Sequence, residues 1–76
     1  MMRLISVNPV SAGWTVRSEP FANDMLFLSG AKAESAARRM ARTIADGGDT
    51  ADMRIFLRDG SLEARFVCPP QVEQAL

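Results

Sequence analysis

Apolar and polar positions change rhythm several times along the chain, and each change marks an element. Met2 to Val7 is an apolar-rich run that closes on a turn signal, Asn8-Pro9. Trp14, Val16 and Ser18 then alternate with Thr15, Arg17 and Glu19, the period of a half-buried strand, which Pro20 ends. After a loop at Phe21-Ala22-Asn23-Asp24, Met25-Leu26-Phe27-Leu28 is apolar at every position and suits a third strand. From Ala31 to Asp46 the period lengthens: Ala33, Ala36, Ala37, Met40, Ala41 and Ile44 form one helical stripe, with Lys32, Ser35, Arg38, Arg39 and Arg42 opposite. Ser29 is the expected N-cap, Gly47-Gly48 the stop, and the mostly Ala stripe lets this helix lie close to a sheet.

Past a polar link, Asp49-Thr50-Ala51-Asp52, two alternating runs flank Asp59-Gly60. Asp-Gly favours a two-residue type I′ turn, with positive φ at both central residues. That turn predicts Arg58 opposite Ser61, Ile55 opposite Ala64 and Arg54 opposite Arg65. Met53, Ile55, Leu57, Leu62, Ala64 and Phe66 then share one face, and Arg54, Phe56, Arg58, Glu63 and Arg65 the other, with Glu63 opposite Phe56. Pro69-Pro70 ends the hairpin. The expected architecture is α+β in two layers, an antiparallel sheet in the order β-β-β-α-β-β with one helix on one face. Residues 1–70 form the single domain and 71–76 a C-terminal tail.

Composition narrows the chemistry. The 76 residues hold nine basic and nine acidic side chains, no His, no Tyr and one Cys, Cys68. An intramolecular disulfide is excluded, most metal-ligand sets and general-base designs are missing, and no cofactor motif is present. Asp46, Asp49 and Asp52 lack the rhythm of a calcium loop, and no paired carboxylates converge, so no catalytic role is expected. A reduced compartment, the cytoplasm, is the expectation, and the N-terminal apolar run is too short for a membrane span. Eight of the nine basic residues are Arg, which favours planar and stacked contacts but also follows from base composition.

Gly13-Trp14-Thr15-Val16-Arg17, Lys32-Ala33-Glu34-Ser35-Ala36 at a helix start and Arg58-Asp59-Gly60-Ser61 in a hairpin resemble a small bacterial domain-of-unknown-function family (family 2188). Its pattern is a Gly-Trp-x-Val-Lys/Arg strand, a Lys-Ala-Glu-Ala helix start and an Asp-Gly hairpin. Ser35 departs from that pattern, as does the long apolar run from Met25 to Leu28. The resemblance spans about residues 13–67; it implies the α+β fold and carries no catalytic residues.

Two surfaces are candidates for binding. On the hairpin face turned from the helix, Arg54, Phe56, Arg58 and Arg65 gather, and Arg17 joins them if its strand is adjacent. Like charges opposite one another repel, so an anion between Arg54 and Arg65 would stabilise the pair, and Arg interleaved with an aromatic suits single-stranded nucleic acid. The ordinary alternative is a solvated face on which Glu63 screens both Arg side chains. Met25 and Phe27 are the second candidate, because a strand apolar on both faces leaves one to be covered, by a second copy of the chain. The basic helix row fits a solvated face, with Glu34 and Arg38 as an i, i+4 pair, and Trp14 fits a core anchor. A self-associating interaction module is therefore the first expectation, and a weak nucleic-acid binder the alternative.

Overall fold

A computed structural model describes residues 2–18 and 24–71. The elements are β1 (Met2–Val10), β2 (Gly13–Ser18), β3 (Asp24–Phe27), α1 (Gly30–Asp46), β4 (Thr50–Phe56) and β5 (Leu62–Cys68). They make the expected α+β two-layer arrangement: a five-stranded sheet in the order β3-β2-β1-β4-β5, with α1 across one face. Of the expected terminal tail, 71–76, Gln71 is described, its amide bonding the Ala45 carbonyl at 2.8 Å, while 72–76 lie outside the described residues, as do 19–23, which hold most of the loop expected at Phe21-Ala22-Asn23-Asp24.

The first strand is the centre of the sheet. It pairs antiparallel with β2 and parallel with β4, so the sheet is mixed and not antiparallel throughout as expected, although its three other joins are antiparallel. The parallel join follows from connectivity. β1, β2 and β3 run down, up and down as a meander, and α1 returns the chain so that β4 starts beside the start of β1. Asn8-Pro9 is not the turn that the sequence predicts. β1 continues to Val10, and the reversal falls at Ser11-Ala12, between the paired residues Val10 and Gly13. A proline is tolerated in this central strand because pairing with β4 stops at Val7, two residues earlier. Gly13 itself has φ +147°, and a Cβ there would strike the carbonyl oxygen of Phe27 on the neighbouring strand.

The core lies between α1 and the near face of the sheet. Ala33, Ala36, Ala37, Ala41 and Ala45 are buried on the helix, against Ile5, Val7, Val16, Ala51, Met53 and Ile55. The small helix stripe sets a close approach, so the larger sheet side chains fill the interface. Trp14 is half-buried and packs on this core, its indole against Gly30, where a Cβ would lie 3.3 Å from the ring. Ser29 caps the helix as expected, its hydroxyl accepting from the Lys32 amide at 3.4 Å.

The last hairpin departs from expectation at its tip. Asp59 does not take positive φ; only Gly60 does, at +87°. The Asp59 carboxylate accepts from the Ser61 amide at 2.8 Å and from its hydroxyl at 2.6 Å, which holds a three-residue loop instead of a type I′ turn. Leu57 then bonds Ser61, and Leu62 stands opposite Phe56. An irregularity beside Phe56 makes Glu63 the extra residue, and beyond it the expected pairs Ile55–Ala64 and Arg54–Arg65 are restored. Leu57 and Leu62, expected on the covered face, are both exposed as a result.

Candidate functional site: an arginine row on the open sheet face

The face of the sheet opposite α1 has no covering layer among the described residues, and strand alternation sorts its side chains. Even-numbered positions of β1 and β4 point there, Leu4, Ser6 and Asn8 beside Asp52, Arg54 and Phe56. The register aligns Asp24 of β3, Arg17 of β2, Ser6 of β1, Arg54 of β4 and Arg65 of β5 in one row across all five strands. Arg17 is therefore not adjacent to the hairpin. It stands two strands from Arg54, about 10 Å at the spacing of a sheet, with Ser6 between them.

The residue that organises this row is Asp52, which the sequence reading places in a loop. β4 begins at Thr50, so Asp52 sits in the strand, two positions before Arg54 and on its face. It is 1% exposed and accepts four hydrogen bonds. Arg65 donates through Nε to Oδ1 at 3.0 Å and through Nη2 to Oδ2 at 2.8 Å; Arg54 does the same at 3.4 and 3.1 Å. The hydrogen bonds from Arg65, followed by those from Arg54, lower the Asp52 pKa to about 2, against burial, which raises it. The carboxylate in turn raises the pKa of Arg65. One internal anion thus occupies the place between two facing arginines that the nucleic-acid reading gives to an external one. Glu63 has no part in the screening; the bulge carries it to a cleft with Val7, Pro9, Trp14 and Glu34.

Arg58 and Phe56 line that same cleft at the hairpin end, so Arg58 does not belong to the row. Arg17 is held by Asp24 at 2.8 Å, an exposed pair of small energetic weight. Arg38 lies over the ring of Phe66, 5.2 Å from its centroid, instead of pairing with Glu34. Met25 and Phe27 face the helix, not the open side. With Ser18, Ala36, Arg39, Met40, Thr43 and Ile44 they line a groove of about 620 Å³ between β3 and α1. The side chains left outward at this edge are Leu26 and Leu28.

No family model, curated protein or solved structure matches the chain. Among the described residues no helix is long and apolar enough to cross a membrane.

Proposed function

We propose that this chain is a non-enzymatic interaction module, acting in the cytoplasm, that self-associates by extending its sheet at the β5 edge. One observation carries the reading. Of the large apolar side chains exposed among the described residues, all but Met2 lie at the two sheet edges: Met25, Leu26 and Leu28 on or beside β3, and Leu57, Leu62, Phe66 and Val67 on or leading into β5. Edge strands offer unpaired amides and carbonyls, and a long apolar edge is the better template for a second chain. β3 is four residues long, whereas β5 is seven. Phe66 and Val67 flank the β5 edge on opposite faces, so a strand added there would cover both. Sedimentation from micromolar to millimolar protein tests the reading. A dimer is expected, reduced to monomer by Val67→Lys, which places a charge on the joining edge. A chain that stays monomeric at millimolar concentration would overturn it. Membership of the uncharacterised bacterial family that the motifs resemble is part of the same proposal and rests on those motifs.

The alternative, a weak nucleic-acid-binding domain using the Arg/Phe face, is favoured by the row of Arg17, Arg54 and Arg65 across one sheet face. Against it stand Asp24 and Asp52, which already hold these guanidinium groups. Salt-sensitive binding of single-stranded oligonucleotides, lost in the Arg54→Ala, Arg65→Ala double variant, would raise this reading above the first.

A further inference from the structure

The groove beside α1 lies at the edge of the sheet opposite β5 and involves none of the contacts invoked above. Its walls are apolar: Met25 and Phe27 from β3, and Ala36, Met40 and Ile44 from the helix. The volume of about 620 Å³ is in the range of small-molecule sites. At Phe27 and Arg39 it runs into a second hollow, shared by those two residues with Lys32 and Ser35. Residues 32, 36, 40 and 44 rise along one side of the helix, so the two hollows form a track about 18 Å long at 1.5 Å per residue.

The charge along this track is uneven. Neither the Lys32 ammonium nor the Arg39 guanidinium has a hydrogen-bonded or ion-paired acceptor among the described residues, a state they share with Arg42 and Arg58, whereas Arg3, Arg17, Arg54 and Arg65 all have one. The first turn of α1 contains no acidic residue, so Lys32 adds a positive charge to the positive end of the helix dipole with nothing to offset it. An apolar trough therefore ends at a Ser hydroxyl and two unneutralised cations, beside a helix terminus that itself favours an anion.

We infer that the groove binds a small amphipathic anion, a medium-chain alkyl carboxylate or alkyl phosphate. The tail lies along Met25, Phe27, Met40 and Ile44, and the head group meets Lys32, Ser35 and Arg39. Arg39 is the hinge of the site because it borders both hollows.

Titration of nitrogen-15 labelled protein with octanoate, decanoate, octyl phosphate and octanol, all below their aggregation limits, tests the assignment. Octanoate should shift the amides of Phe27, Arg39, Met40 and Ile44 and leave those of β5 in place. Decanoate should bind about fifteenfold more tightly, since each buried methylene is worth about fourfold. Octanol should bind at least about tenfold more weakly than octanoate, as expected for a ligand lacking the charge-assisted bonds. Arg39→Gln, a change at an exposed position, should bring octanoate down towards octanol. Whichever of octanoate and octyl phosphate binds more tightly identifies the head group. Absence of localised shifts at millimolar ligand would overturn the inference. So would equal binding of octanol and octanoate, or an Arg39→Gln variant that binds octanoate unchanged. Sedimentation of the same samples separates this result from self-association: the dimer can fail while the groove binds, and the reverse.

Discussion

Asp52 and Met53 are neighbours in β4 and are buried to the same degree, 1% and 2% exposed, on opposite faces of one sheet. Met53 is covered by another layer of structure, the Ala-lined side of α1. Asp52 faces the side with no such layer among the described residues and is flanked there by two arginines, 38% and 47% exposed, which are themselves half in water. Burial of Met53 beneath the helix depends on volume and shape and involves no titrating group. Burial beneath arginines depends on the carboxylate remaining ionised. The two faces of this sheet are thus held by different physics, and should respond differently to substitution and to pH.

The largest effect is expected beneath the helix. Met53→Ala leaves a cavity against a stripe of alanines that cannot fill it, and should cost about 3 kcal/mol in urea unfolding. Asp52→Ala leaves two like charges facing each other across a strand pair. Full burial of the arginines would place this cost in the upper range for a broken buried pair, but half-exposed guanidinium groups regain water, so about 2 kcal/mol is expected. If Asp52→Ala proved the costlier, the covered face would not be the principal source of stability.

Acid separates the faces more sharply. The folded Asp52 pKa, about 2, lies below its ordinary value of 3.8. Its contribution is therefore complete above about pH 4 and is lost as the pH falls towards 2, a change of about 2 kcal/mol. Asp49 and Asp59 are also lowered, by bonds from Arg3 and Ser61 respectively, so acid unfolding of the wild type includes them as well. The difference between wild type and Asp52→Asn isolates the one carboxylate. That difference should shrink between pH 4 and 2, while the difference between wild type and Met53→Ala stays constant. The smallest effect distinguishes the two arginines. Arg65→Ala should lower the urea midpoint more than Arg54→Ala, following the shorter contacts of Arg65.

The covered face was legible in the sequence because its pattern is redundant. The Ala stripe from Ala33 to Ile44 and the alternation of Met53 and Ile55 each indicate the same layer, and they agree. The facing of Arg54 with Arg65 follows from a register counted back from Asp59-Gly60, and it survives the longer loop because the extra residue Glu63 offsets it. What the sequence concealed was the partner of those arginines. Asp52 sits next to Asp49 and Thr50, and together they read as a polar link. Yet Thr50, Asp52, Arg54 and Phe56 share one strand face at a period of two, the signal that would have found it. The turn at Asp59-Gly60 misled for a local reason, since the Asp59 side chain bonds Ser61 and stabilises a conformation that the dipeptide alone does not favour. The parallel join of β1 and β4 was not legible, because alternation assigns a residue to a face but not to a neighbour. The groove followed the same rule. Met25 and Phe27 were recognised as surplus apolar surface, and only the structure assigns them to the helix side.

That parallel join also has a consequence for the order of events in folding. β1–β2, β2–β3 and β4–β5 unite strands close in the chain, whereas β1 and β4 pair residues as distant as Met2 and Thr50. Local hairpins close quickly, but a join across an intervening helix must await closure of a long loop. During synthesis, β1 remains an edge until β4 leaves the ribosome, exposing to other nascent chains the strand that becomes the middle of the sheet.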